Sequence, residues 1–273
     1  MNPKGVHMNP AQLHIEDVDT ERVNDLVTLC IPHSKKDDPL IIQGLKAKKE
    51  WAHRILAEYR FAKIAYMAST PVGMIQYIPH PEERIVEIQC IFVPDTKNHR
   101  KGTGSALLKA LQKEMDTSQP WFTREPLALV AHAFDMPGWY SQHEFYRRMK
   151  FKHVPNNPSL LYYPIQKGYT YTKKEGGSPL EEDEGTALIM YDPLCPFCVY
   201  FTEKIKKAIK EVADIPIRVL NKRLDVEEVK KRGDIPICTV NNIPVKSFIT
   251  DKERFQSEVK RALSHSWQPP GCT

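Results

Sequence analysis

Hydrophobic and polar positions alternate along this chain in blocks that change period. Val23, Leu26, Val27 and Cys30 recur at helical spacing, and a second amphipathic helix is expected from Leu40 to Glu58. Phe61 to Met67 and Val72 to Ile78 are strand-like runs joined by Ala68-Ser69-Thr70-Pro71, a hairpin signature. Ile88, Cys90, Ile91, Phe92 and Val93 form an apolar run stopped by Pro94, a buried strand. After His-Arg-Lys-Gly-Thr-Gly-Ser, a helix follows with Ala106, Leu107, Leu108 and Leu111 as its apolar residues. Leu127 to Ala133 and Leu160 to Ile165 supply two more strands. The alternation predicts an α/β (α+β) fold, a mixed sheet with helices on both faces.

The pattern changes after Gln166. Residues 167–185 combine Gly176-Gly177-Ser178-Pro179 with the acidic run Glu181-Glu182-Asp183-Glu184, a linker composition. Beyond it, Ala187 to Tyr191 reads as a strand, and Phe201, Ile205, Ala208 and Val212 form a helical stripe. A strand at Ile217 to Leu220 leads to a helix opened by the capping box Asp225-Val226-Glu227-Glu228. Asn241-Asn242 marks a hairpin into Val245 to Phe248, and a helix from Asp251 to about Ser264 closes the segment. The expected organisation is a first domain over 1–166, a linker, a smaller α/β domain over 186–266, and a frayed tail over 267–273.

Two stretches carry chemistry. In the first, a strand, a glycine loop (Gly102 and Gly104) and a helix N-terminus aim several backbone N–H groups at one spot, which suits a phosphate or pyrophosphate. Arg100 and Lys101 add positive charge. Ser105-Ala106 does not fit the P-loop pattern, and Leu107 stands where a dinucleotide fingerprint needs its third glycine. The alternative is a helix cap that binds nothing. In the second, Cys195-Pro196-Phe197-Cys198 lies at a strand-to-helix junction. There Cys195 would sit at the helix N-terminus, where the dipole favours a thiolate, with Pro196 in the first turn and Cys198 one turn within. Half of a zinc site is the alternative, but only Cys238, His265 and Cys272 could complete it, none at ligand spacing.

The segment His99-Arg100-Lys101-Gly102-Thr103-Gly104-Ser105 resembles the Gln/Arg-x-x-Gly-x-Gly/Ala loop of the GNAT acetyltransferases, with His99 at the usual Gln or Arg. Glu144-Phe145-Tyr146-Arg147-Arg148-Met149-Lys150-Phe151 is similar to that family's Phe-Tyr-x-x-x-Gly-Phe segment, with Lys150 at the usual Gly. The resemblance implies acetyl-CoA as cosubstrate and no metal. It implies that residues 99–105 hold the pyrophosphate and that Ile91, Phe92 and Val93 line the pantetheine arm. Tyr146 falls on the tyrosine that protonates the departing thiolate, or that merely packs against the cofactor. Glu87, on the approach to the loop strand, and Asp135, just past the fifth strand, are candidates for the general base or else solvated surface charges. Trp121, Phe122, Trp139 and Tyr140 flank the acceptor side or pack in the core. The second half resembles a thioredoxin-like domain of the YoaP-like kind, which implies a redox role for Cys195 and Cys198 with Pro236 as the facing cis-proline. An acetyltransferase acting on a primary amine is the expectation. The competing classes are a thiol-disulfide oxidoreductase with a CoA-binding sensor domain and a non-catalytic adaptor.

Composition narrows the setting. Hydrophobic content of 41% and charged content of 27% fit a globular chain, and no stretch approaches the ~20 apolar residues of a membrane span. The start lacks a secretory apolar core, and six cysteines over 273 residues argue against a secreted disulfide scaffold, so a cytoplasmic location is expected. A net charge of +5, spread along the chain, suits polyanionic CoA; neither a nucleic acid nor a membrane is an expected partner. Oligomeric state is left open.

Overall fold

In a computed structural model, residues 13–135, 140–173, 180–233 and 237–265 are described. Two compact units emerge. The first comprises residues up to Cys30 together with Ala52–Lys173; the second comprises Ile31–Trp51 together with the chain from Lys174 onward. Residues 31–51 lie in the first half of the sequence yet pack with the second unit.

The first unit is built on a seven-stranded sheet of β1 (Leu13–Asp17), β2 (Ala62–Met67), β3 (Thr70–His80), β4 (Ile85–Phe92), β5 (Ala128–His132), β6 (Lys152–Val154) and β7 (Asn157–Pro164). Its order is β1-β2-β3-β4-β5-β7-β6. Every described pairing is antiparallel except that of β4 with β5. This is the mixed sheet that the alternation of elements predicts. The edge strands β1 and β6 escaped the sequence pattern, because a short strand half in solvent carries little hydrophobic alternation.

Helix α1 is Val23–Thr28, α2 is Pro39–Ile55, α3 is Thr103–Met115 and α4 is Gln142–Arg148. The α3 face made by Leu107, Leu108, Leu111 and Met115 is buried against Ile75, Tyr77, Val86, Ile88, Leu129 and Ala131, with Tyr146 and Phe151 completing the cluster. Burial of four such side chains contributes about 1.5–3 kcal/mol each, so the helix is held by its apolar stripe rather than by propensity. A buried polar network reinforces it: Lys63 of β2 pairs with Glu114 of α3 at 2.6 Å and also with Asp17 of β1.

The second unit carries a sheet of order β11-β10-β8-β9, from β8 (Ala187–Tyr191), β9 (Ile217–Asn221), β10 (Cys238–Val240) and β11 (Ile243–Pro244). β8 and β9 run parallel, and β10 is antiparallel to β8. Helices α5 (Cys198–Lys210), α6 (Val226–Arg232) and α7 (Lys252–Ser264) complete the expected βαβαββα order. Asn241 and Asn242 both take positive φ, 50° and 64°, as a two-residue hairpin turn requires.

Two local expectations are corrected. The strand after that hairpin stops at Pro244 and does not reach Phe248: Val245 still donates to the Cys238 carbonyl at 3.0 Å, but the Lys246 and Ser247 N–H groups turn to the Glu258 carboxylate. The capping box at Asp225 does not form, because its carboxylate accepts from the Asn221 N–H at 2.7 Å instead. Within the acidic run, Asp183 is buried and takes a two-pronged ion pair from fully buried Arg232 at 2.6 and 2.9 Å.

Candidate functional site

The site in the first unit begins where β4 leaves its neighbour. Pairing between β4 and β5 covers only Ile85–Ile88 against Ala128–Ala131. The register between β3 and β4 slips just there, Gln76 facing Cys90 and Tyr77 facing Ile88, so that Gln89 is the extra residue of a β-bulge. A bulge bends its strand and ends regular pairing. From Gln89 to Phe92 the strand keeps β3 on one edge and has no described strand on the other. Ile91, Phe92 and Val93 lie half-buried along this opened edge. Its backbone N–H and C=O groups can pair with an extended amide-bearing ligand as a strand would.

The loop beyond is shaped by two left-handed residues, Arg100 (φ 59°) and Gly102 (φ 84°). Gly102 is the N-cap of α3 and supplies no side-chain cap, so the first helical N–H groups at Thr103, Gly104 and Ser105 lack the usual capping oxygen. Arg100, Lys101 and Gly102 are exposed, and nothing lies within 4 Å of where a Gly102 Cβ would stand. His99 turns inward instead: its Nε2 donates to the Val93 carbonyl at 2.8 Å, tying the loop to the end of β4. An uncapped helix N-terminus beside two cations is a place for an anion.

Two glycines make the seat. A Cβ at Gly104 would rest against the Phe145 ring at 3.5 Å, so loop and α4 touch through an aromatic face. A Cβ at Gly73 on β3 would lie 3.0 Å from Thr103, 3.2 Å from Val93 and 3.3 Å from Leu107. The bare backbone at Gly73 therefore lets the N-terminus of α3 settle onto the sheet beside the opened edge. The sequence reading passed over Gly73, although an isolated glycine within a strand run signals close approach.

Tyr146 comes from α4, whose N-cap Ser141 accepts from the Glu144 N–H at 3.1 Å. The ring is only 2% exposed and packs between Phe145 and Phe151, with centroids at 5.3 and 5.0 Å. Burial holds its phenol protonated well above the ordinary value, and the neighbouring Cys90 thiol adds to the effect. Lys150, at the position of the usual glycine, adopts the left-handed conformation itself (φ 66°).

The carboxylates separate by environment. The exposed Asp135 is held below the usual carboxylate range by Ser141 and then by His143; it also accepts from the Gln142 N–H at 3.0 Å, at the start of α4. Glu87 on β4 is half-buried and faces His80 of β3, whose Nε2 lies 3.1 Å from Glu87 Oε2. His80 went unremarked in the sequence, because only the β3–β4 register brings the two together. Among the aromatics, Phe122 belongs to the core and Trp121 packs against it, whereas Tyr140 is exposed with the Arg148 guanidinium 5.7 Å away. Trp139 lies outside the described residues.

In the second unit Cys195 is exposed and Cys198 buried. Helix α5 starts at Cys198, not at Cys195: the Asp192 carboxylate accepts from Leu194, the Asp192 carbonyl accepts from Cys195, and Cys195 through Phe197 form the turn before the helix. The Cys198 N–H donates to the Cys195 carbonyl at 3.0 Å, which closes that turn. Burial, with Cys195 and Asp192 adding, pushes the Cys198 thiol up to about 12. Pro236 lies outside the described residues.

The sequence matches no family model and no curated protein. Several solved acetyltransferases are similar in structure at low identity. One, from Pyrococcus horikoshii and described as an acetyltransferase, is 15% identical with a TM-score of 0.38, and the match covers 56% of this chain and 47% of that one. The ribosomal-protein-S18-alanine N-acetyltransferase of Escherichia coli is 12% identical with a TM-score of 0.39, covering 59% of this chain and all of its own. The PaiA N-acetyltransferase of Thermoplasma acidophilum, solved with coenzyme A, is 17% identical with a TM-score of 0.39, covering 55% and 96%. At such scores, function rests on the site's own residues. No described helix is long and apolar enough to cross a membrane.

Proposed function

We propose that the first unit is a GNAT-type N-acetyltransferase that moves the acetyl group of acetyl-CoA directly to a primary amine. One coincidence carries the proposal: the uncapped, left-handed loop at the head of α3 opens beside the strand edge that β4 exposes after its bulge. Phosphate donors and a pantetheine-length backbone edge are thereby adjacent, and few ligands other than CoA need both.

In this scheme the N–H groups from Lys101 to Ser105 receive the pyrophosphate, with Arg100 and Lys101 beside them, and His99 braces the loop on Val93. The edge at Ile91 to Val93 pairs with the amides of the arm. The acceptor nitrogen attacks the thioester carbonyl, the carbon–sulfur bond breaks, and the thiolate takes the Tyr146 proton. The buried phenol remains protonated across the neutral range and so always has that proton to give. Of the two carboxylates, Glu87 suits removal of the amine proton, since His80 orients it and it is only half-buried. Asp135 is committed to the start of α4. A donor set of backbone amides, a phenol and a carboxylate suffices for this transfer, and the scheme calls for no metal.

Calorimetric titration of acetyl-CoA into the reduced chain tests the proposal, with Gly104→Glu as the control. The added Cβ would meet the Phe145 ring at an ordinary contact distance of 3.5 Å, and the carboxylate sets a negative charge among the phosphate donors. Saturable binding by the parent and its loss in the variant are expected. A folded parent that does not bind acetyl-CoA overturns the proposal.

For the second unit, the pairing of an exposed Cys195 with a buried Cys198 before α5 supports a thioredoxin-like thiol site that attacks through the first cysteine and resolves through the second.

A further inference from the structure

Helix α2 carries a glycine in its middle, which costs about 1 kcal/mol relative to alanine unless something requires it. Gly44 has such a requirement. A Cβ there would lie 1.9 Å from the carbonyl oxygen of Pro196 and 2.9 Å from its carbonyl carbon. Both residues belong to the second unit, so the helix rests directly on the backbone between the two cysteines. Ile41, Gly44, Lys48 and Trp51 recur at helical spacing and are all buried, which marks one covered face of α2. The same segment makes a further contact beyond the cysteines: the Lys35 ammonium stands 4.8 Å from the centre of the Tyr200 ring. Residues 31–51 therefore lie over the Pro196 side of the turn, while Cys195 itself stays exposed.

We propose that Cys195 exchanges with low-molecular-mass disulfides and is closed to protein disulfides, because residues 31–51 cover the turn that carries it. Exchange requires a disulfide to approach the Cys195 sulfur in line. A protein substrate must also bury several hundred Å² of the surface around that sulfur, and α2 occupies part of it. A small disulfide needs only the exposed sulfur. The Cys195 thiolate attacks RS–SR, forming a mixed disulfide and releasing one RS⁻. Cys198 then gives up its proton and attacks the Cys195 sulfur, releasing the second RS⁻. The dithiol is oxidised to an intramolecular disulfide, and RS–SR is reduced to two thiols. This rests on the thiol-site reading of the second unit and not on the chemistry of the first.

The test uses the full reduced chain with two probes, oxidised glutathione and insulin, whose interchain disulfides report on protein-sized substrates. Glutathione disulfide is expected to oxidise the folded parent with the loss of two thiols, mapped by peptide mass to Cys195 and Cys198. The Cys198→Ser variant is expected to stop at a glutathionyl adduct on Cys195. Insulin reduction by the parent should stay at background, and Gly44→Ala, which forces α2 off the Pro196 carbonyl, should raise it at least tenfold. Lys35→Ala, which removes the half-buried contact with Tyr200 from outside the helix, should move in the same direction if Gly44→Ala fails to fold. The proposal is overturned if glutathione disulfide leaves the pair reduced, if the parent reduces insulin as fast as the variants, or if folded variants leave insulin untouched.

Discussion

The His99 imidazole donates to the Val93 carbonyl at 2.8 Å, so the residue that departs from the GNAT loop pattern is the one that fastens the loop to its strand. A glutamine or arginine at this place could make the same bond from an N–H of its own. The expected outcome is that His99→Gln keeps acetyl-CoA affinity within a few fold. His99→Ala should weaken it about tenfold, the order of one net hydrogen bond. Calorimetry on both variants checks this, and equal affinities would detach the bond from cofactor binding.

Tyr146 is buried and held protonated, which suits an acid but also suits a packing residue. Turnover separates the two roles. Tyr146→Phe keeps the ring contacts with Phe145 and Phe151 and removes only the proton. It should lower kcat by about 10²-fold or more while leaving the Kd for acetyl-CoA unchanged, as loss of a general acid does. An unchanged kcat would return Tyr146 to packing.

Gly73 leaves 3.0 Å between an added Cβ and Thr103. Gly73→Val should push α3 off the sheet, lowering stability by about 1–3 kcal/mol, as overpacked cores do, and weakening acetyl-CoA binding with it. Urea denaturation followed by calorimetry reads both effects. A stable variant with parental affinity would show that the close approach at Gly73 has no part in seating the loop.

Arg232 is fully buried and forks onto Asp183 in the segment that enters the second unit. Removing one partner strands a charge in the interior. Arg232→Met should cost about 3–5 kcal/mol in denaturant unfolding, and adding Asp183→Leu should restore much of it. If the single variant unfolds like the parent, the pair is not what anchors that segment.

Glu258 of α7 supplies a pH signature. The Ser247 hydroxyl, then the backbone N–H groups of Ser247 and Lys246, hold its carboxyl down at about 2, against an ordinary value near 4.5. A folded-state pKa below the unfolded one means that the ionised form stabilises the fold. That contribution is complete above about pH 4.5 and is lost as pH falls toward 2. Glu258→Gln should therefore be less stable than the parent at pH 7, with the gap narrowing as pH falls below about 4.5 and closing only near pH 2. A gap as wide at pH 2 as at pH 7 would show that the bonds do not depend on the charge.

Much of this molecule was legible in local sequence. The strand, glycine loop and helix from Ile88 to Met115, the Asn241-Asn242 hairpin and the strand-turn-helix around Cys195 each declare themselves within a few residues. Their signals are periodicity, turn chemistry and caps, which act between near neighbours. Even so, Asp225 looked like a cap and was drawn to Asn221, a choice between two nearby backbone donors that composition does not make.

What the tertiary structure decided is which distant residues meet. The bulge at Gln89, the end of β4–β5 pairing at Ile88 and the approach of His80 to Glu87 all follow from strand register, which depends on partners far along the chain. Gly73 under Thr103 and Gly44 against Pro196 are close approaches between segments 30 and 152 residues apart in sequence. A glycine in sequence shows only that a side chain is missing. Packing decides which piece of the chain fills the space, because that depends on the shape of every element around it.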